Sequence, residues 1–434
     1  MFLNTHKISR IPKYEVQDET RIEDTRSIRD FGSTTFSGFK KTQVKKKFLK
    51  SLLNESSIEE SCFWCIQFIA CGSLMEIWDI IIQVLGKHIY IANPKLAIYI
   101  DNCYQRFREI LLEPRKKIQS YAGGNEHLTR NNNDFRELFA QLCAVCCVSR
   151  KKQELKFVTV SDHHFDMFTL PSLLKAPTPN YIKFSSPYLK NGVWTEHDPQ
   201  ELLIASNEFA YYLSREARDE QNAKYWMEWI FAYIRRTEKT TSKGKTGKTD
   251  KKSIICNPRY HCLGGRDVSK ECASHPVWLL WDLIISEASR IDKKENTKYY
   301  VKSCKSLMSL FGIRFQKGCI QKRKSLLYMA INLLCEPVLW DIPIVHPDKK
   351  SMVILAKKNI HLLYKQLKKD EQTTDNETTE YMRLLHSNFK TREPREPRET
   401  REANPASKGM PPTEWEKRQI TNMVYEREKD RLYQ

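Results

Sequence analysis

The chain has 434 residues and a formal net charge of +19, from 72 Lys plus Arg against 53 Asp plus Glu. Nine Trp, nineteen Tyr and nineteen Phe exclude a wholly disordered chain, and only 14 Gly argue against a fold built on phosphate-cradling loops or long β-meanders. The longest apolar run, Leu142–Val148, is far short of the ~20 residues that cross a bilayer, and Met1–Arg10 carries no signal-like apolar core. The expectation is a soluble, intracellular protein of two or three domains, without membrane contact, whose first anionic partner is nucleic acid.

Residues 1–54 read as a disordered basic segment, polar and aperiodic, ending in the lysine cluster Lys40, Lys41, Lys45, Lys46, Lys47 and Lys50. Helical periodicity begins at Ser56, and Ser57 with Glu60 has the spacing of a capping box. Phe63, Trp64, Ile66, Phe68 and Ile69 form the first apolar face, and Gly72 is placed to end that helix in the left-handed conformation. A second helix is predicted over Leu74–His88 and a third over Lys95–Leu112, with Asn93-Pro94 as the turn between them. A fourth runs Phe135–Val148, so residues 55–155 form one helical domain. Residues 156–200 are a Pro-rich connector.

Residues 201–369 read as a second helical domain: helices over Pro199–Ala217, Asn222–Ile234, Pro276–Ile291, Lys298–Phe311, Gln321–Cys335 and Lys350–Lys368. Its basic loop, 235–255, holds Arg235, Arg236, Lys239, Lys243, Lys245, Lys248, Lys251 and Lys252 against Glu238 and Asp250. Residues 370–434 read as a disordered tail, with an Arg-Glu-Pro repeat from Arg392 and a possible charged terminal helix over Glu414–Tyr433. The fold class is mainly α: a helical bundle, then a second helical region, with disordered termini.

The thirteen cysteines, an odd number, do not suit a disulfide framework in a reducing compartment. Cys62 and Cys65 have C-x-x-C spacing but lie mid-helix, where they serve as small buried hydrophobes. Cys256, Cys262, Cys272 and His275 fall around a Gly-containing stretch and are the candidate zinc ligands, although their spacing matches no standard finger. Asp162, His163, His164 and Asp166 form a weaker metal-like cluster, more in keeping with a solvated loop. Gly244-Lys245-Thr246 and Gly247-Lys248-Thr249 carry only the tail of a phosphate-binding loop, because the required first glycine is Lys239 in one register and Ser242 in the other. No catalytic constellation is complete, so the chain is expected not to be an enzyme.

Residues 56–155 resemble the C-terminal collar, or oligomerisation domain, of clamp-loader-like AAA+ ATPases of the RarA/MgsA type. Cys62-Phe63-Trp64-Cys65 corresponds to that family's Ala-Leu-Tyr-Trp-Leu signature, and Gly72 to its Gly-containing turn. Gly86 to Pro94 corresponds to its Ser-Glu-Asp-Ile-Gly-Leu-Ala-Asp-Pro motif, with Lys87-His88 replacing the acidic pair. Phe63, Trp64, Gly72, Asn93 and Pro94 thus define the fold, while no ATPase core precedes them in this chain. The resemblance implies a non-enzymatic DNA-binding scaffold of replication or repair, which oligomerises or docks on a partner ATPase through residues 56–155. Phosphate would be gripped by Lys45, Lys46, Lys47, Lys50, Arg235, Arg236, Lys243, Lys245, Lys248, Lys251, Lys252, Lys322, Arg323 and Lys324, without sequence preference. The Lys-, Asn-, Ile- and Cys-rich composition also resembles that of a large-DNA-virus protein, placing it in the nucleus or at a viral replication site. A structural or assembly role in such a virus, and a zinc-stabilised nucleic-acid-binding or transcription accessory role, are the alternatives.

Overall fold

The computed structural model describes residues 18–24, 26–112, 126–166, 168–178, 181–183, 192–241, 254–263 and 268–372. All of these belong to one compact unit, residues 1–374. The second unit, 375–434, with the Arg-Glu-Pro repeat and the predicted terminal helix, lies outside the described residues. Among the described residues there is no strand, only an isolated bridge between Thr34 and Lys40. The architecture is mainly helical, as the period of the apolar residues predicts.

The first helix, α1 (Lys41–Leu52), lies where the sequence suggests a disordered segment. Its lysines mask an apolar stripe at every fourth residue: Val44, Phe48 and Leu52 are buried. Ahead of it, Phe31 and Phe36 are buried with ring centroids 6.0 Å apart. The buried Arg130 donates to the carbonyls of Asp24 and Arg26, both at 2.7 Å, tying this segment to the body.

Next come α2 (Ile58–Ala70), α3 (Leu74–Val84), α4 (Leu96–Leu112) and α5 (Asn133–Val148). The predicted capping box does not form: the Ser57 side chain caps nothing, and Asn54 instead accepts from the Ser56 N–H. The C-terminus of α2 follows the prediction. Gly72 has φ +72°, its N–H donates to the Ile69 carbonyl, and the Ser73 N–H reaches back to the Phe68 carbonyl. That pair of bonds is the Schellman arrangement, which satisfies carbonyls left over at the helix end. Trp78 of α3 fills the centre of this layer, with its ring centroid 5.0 Å from Tyr104, 5.3 Å from Phe107 and 5.7 Å from Phe139. Past Val84 the chain widens into a π-turn, Leu85–Ile89. Asn93 is buried and donates to the Ile344 carbonyl at 2.8 Å.

The remaining helices are α6 (Leu170–Leu173), α7 (Leu203–Leu213), α8 (Glu220–Thr241), α9 (Lys270–Ala273), α10 (Val277–Glu295), α11 (Tyr299–Phe311), α12 (Cys319–Cys335) and α13 (Lys350–Gln372). They do not stand apart from the first layer. Helix α11 packs on α4, α12 on α3, and α13 on α5 and α2. In the connector, Ile182, Val193 and Trp194 are buried, so its described parts are pinned to the same body. Residues 55–155 and 201–369 therefore share one core across the expected domain boundary.

Candidate functional site

The basic residues singled out in the sequence divide sharply by environment. Lys46, Lys50, Arg235 and Lys322 are exposed. Lys45 pairs with Glu76 at 2.7 Å, and the Lys47 ammonium lies 5.6 Å from the centre of the Trp64 ring. Arg236 pairs with Asp162 at 3.2 Å and lies 5.3 Å from the Phe165 ring centre. Lys243, Lys245, Lys248, Lys251 and Lys252 lie outside the described residues.

Arg323 and Lys324 correct the expectation of a phosphate grip at 322–324, because both are buried. Arg323 pairs with Asp79 of α3 at 2.8 Å and donates to the Phe311 and Ile313 carbonyls. Lys324 pairs with Glu228 of α8 at 2.6 Å, and Tyr328 donates to the same carboxylate at 2.8 Å. Successive helical residues point about 100° apart, so a basic triplet on a helix packed from several sides, as α12 is by α3, α8, α10 and α11, turns some of its members inward. These two side chains are internal ties between α12 and its neighbours.

The candidate zinc set is dispersed as well. The Cys272 sulfur approaches the Phe315 carbonyl at 4.0 Å. His275 uses Nδ1 to accept from the Val277 N–H at 3.1 Å, and burial, with a smaller contribution from Lys317, pushes its pKa down to about 4. Cys256 lies beside the ion pair of Asp198 and Arg259, and burial pushes its thiol up to about 12. Of the four, only Cys262 takes part in a convergence of ligand atoms among the described residues, and its companions there are His261 and Asp282. Asp162, His163, His164 and Asp166 form no such group; the Asp162 carboxylate is in solvent apart from its contact with Arg236.

His261, Cys262 and Asp282 belong to a buried charge network. The Asp282 carboxylate accepts at one oxygen from Arg259 Nε at 2.7 Å. Its other oxygen lies 2.7 Å from His261 Nε2 and 3.2 Å from the Cys262 sulfur. Arg259 turns its remaining nitrogens to Asp198, at 2.9 and 2.8 Å, and to the Val193 carbonyl at 3.1 Å. Burial alone lowers an arginine pKa; hydrogen bonding and charge from Asp198, with charge from Asp282, outweigh it and hold Arg259 raised. The Cys262 thiol is pushed well up, first by burial and then by the neighbouring Asp282 carboxylate. That is the opposite of an activated nucleophile.

A surface that sequence reasoning left mute lies at the corner between α10 and α11. Helix α10 ends on Asn296 in the left-handed conformation, and Asp292 caps α11 by accepting from the backbone N–H groups of Tyr300 and Val301. Lys293, Lys294, Lys298 and Lys302 are all exposed around this turn. Among them stands Tyr299, 44% exposed, stacked on Trp340 with centroids 5.3 Å apart and rings 16° from parallel. Tyr300 braces Trp340 edge-on at 5.0 Å. The run Lys298-Tyr299-Tyr300-Val301-Lys302 is the sequence signal: lysines bracketing aromatics on a helix start.

Nothing matches this chain in comparisons with protein families, curated proteins or solved structures. No helix among the described residues is long and apolar enough to cross a membrane.

A cleft of about 510 Å³ runs beside residues 152–158 and is lined by both signs of charge, including Lys152, Lys224, Glu220 and Glu336. Lys224 and Glu220 pair at 2.6 Å, and Lys152 reaches Glu336 at 3.7 Å. Burial, followed by charge from Glu220, holds the Glu336 carboxyl above its ordinary range. Tyr90, at the mouth, has φ 28°. The pairing consumes most of the cleft's charge, so it attracts neither anions nor cations strongly.

Proposed function

We propose that this chain is a non-enzymatic helical scaffold that binds nucleic acid without sequence preference through basic side chains mounted outside its core. The observation that carries this reading is the α10–α11 corner, where four exposed lysines surround a stacked, half-exposed tyrosine. Lysines at phosphates release condensed counterions, and an exposed aromatic face takes a base of a single strand. Lys46, Lys50, Arg235 and Lys322 add exposed positive charge elsewhere on the body. The lysine-rich stretch 243–252 follows directly on α8 in sequence. Docking on a partner ATPase rests on the collar resemblance alone; within this chain those helices are already faced by α11, α12 and α13.

The test is binding of labelled single- and double-stranded oligonucleotides over a salt series. Micromolar binding at low salt that weakens steeply as salt rises supports the reading. Absence of binding to either form at low salt overturns it.

A further inference from the structure

We propose that His261, Cys262 and Asp282 bind a zinc ion. The three offer imidazole nitrogen, thiolate sulfur and carboxylate oxygen, and these atoms lie within 4.8 Å of one another. Ligands about 2.0–2.3 Å from a tetrahedral zinc sit roughly 3.3–3.7 Å apart, so the cluster needs only a slight opening to admit the ion. His261 can supply it: its side chain is 40% exposed, on a 3₁₀ turn (Tyr260–Leu263), while Cys262 and Asp282 are buried behind it. The same exposure gives the ion an entry path and a solvent-facing fourth position.

Two further features favour a cation here over a hydrogen-bonded network alone. Asp198 and Asp282 are both buried, and among the described residues they share a single guanidinium, Arg259, so that two carboxylates face one positive charge there. A zinc ion with the Cys262 thiolate would render the whole cluster neutral, removing the cost of a buried net charge. The Asp282 oxygen turned away from the site is held by Arg259, and Arg259 by Asp198. This outer support fixes the carboxylate's direction, as the partners of metal ligands commonly do. Mixed nitrogen, sulfur and oxygen donors suit zinc better than magnesium or calcium, which prefer oxygen alone. On binding, Cys262 releases its proton to solvent as the Zn–S bond forms, so uptake strengthens with rising pH.

The experiment uses the full chain, stripped with chelator and titrated with Co²⁺ in the absence of nucleic acid, so its outcome is independent of the DNA-binding reading. One equivalent of cobalt is expected to produce a thiolate-to-metal charge-transfer band that zinc then abolishes. Cys262→Ser removes the band, His261→Ala weakens binding at least about tenfold, and Cys272→Ala changes neither. His261 is at the surface, so its variant stays folded and keeps the test open should the buried variants unfold. A wild-type chain that shows no band, or a band that survives Cys262→Ser or is unweakened by His261→Ala, overturns the site.

Discussion

The guanidinium of Arg136 lies over the ring of Tyr364, 3.6 Å from its centre, joining α5 to α13. Both side chains are buried, and Arg136 also donates to the Thr20 and Arg130 carbonyls at 2.9 and 2.8 Å. Arg136 thus ties the N-terminal segment, the first helical layer and the last described helix together. A desolvated contact of this kind is worth about 2 kcal/mol, beyond the area the ring buries. Tyr364→Ala is expected to cost roughly 3–5 kcal/mol. Arg136→Ala leaves its acceptors unpaired, and the double variant should cost less than the two singles added, by about 0.5–3 kcal/mol. Urea unfolding of the four proteins measures this. Strict additivity would mean that the two side chains do not interact.

Gly72 offers a second test, because two separate penalties meet there. An L-residue at φ +72° costs about 1–2 kcal/mol, and an added Cβ would sit 2.9 Å from the backbone nitrogen of His127, which cannot move aside cheaply. Gly38 has φ +76° with nothing within 4 Å of the added atom. Gly72→Ala should therefore lower Tm clearly more than Gly38→Ala. Equal losses would show that His127 gives way.

Thiol accessibility follows from the same packing. All thirteen cysteines are free; eleven are buried, and only Cys272 and Cys319 are partly exposed. Burial pushes Cys146 and Cys335 up to about 12, which starves them of thiolate near neutral pH. With a disulfide reagent on the folded chain, two thiols should react promptly and the others only as the protein opens. A fast reaction at Cys62 or Cys65 would revive a redox role for the C-x-x-C pair.

Much of the helical framework is legible in the sequence, because the helix period and its punctuation are local. The apolar spacing of Ile77, Trp78 and Ile81, the Gly72 stop and the Asn93-Pro94 turn all depend on residues within a few positions of each other. What fails is anything decided by a distant partner. Lys322, Arg323 and Lys324 look alike in the chain, yet Asp79, 244 residues away, takes Arg323 inside. Helix α1 was hidden by its lysines, although Val44, Phe48 and Leu52 were spaced to be read. The zinc window gathered residues close in sequence and omitted Asp282, whose signal was its position: a lone charge within the apolar run Val277–Ile285, which needs a buried partner.

His275 makes stability depend on pH in a known direction. Burial, then the charge of Lys317, lowers its pKa from an ordinary 6.5 to about 4, and its Nδ1 must stay unprotonated to accept from Val277. Between those values the unfolded chain binds the proton more readily than the folded one. Its contribution is therefore fully present above pH 6.5 and is lost as pH falls toward 4, by roughly 3 kcal/mol at most. His275→Gln should remove that part of the acid sensitivity. The gap in unfolding free energy between wild type and variant should shrink from pH 7 to pH 4. A constant gap would mean that His275 titrates alike in both states.

The two classes of basic residue should separate cleanly in binding. Lys298 and Lys302 are exposed and Tyr299 stands between them; Arg323 and Lys324 are buried in ion pairs. Each lysine lost from a phosphate contact reduces the slope of log affinity against log salt by about 0.7–0.9. Lys298→Gln with Lys302→Gln should thus flatten the slope by roughly one to two, with the thermal midpoint nearly unchanged. Tyr299→Ala should weaken single-stranded binding by about 1–3 kcal/mol and spare duplex. Arg323→Ala should do the reverse of the lysine pair. It takes the donor from two backbone carbonyls and the partner from the half-buried Asp79, lowering Tm by several degrees, while the salt slope of the protein that remains folded is kept. If Arg323→Ala flattens the slope and the lysine pair does not, the nucleic acid binds elsewhere than the α10–α11 corner.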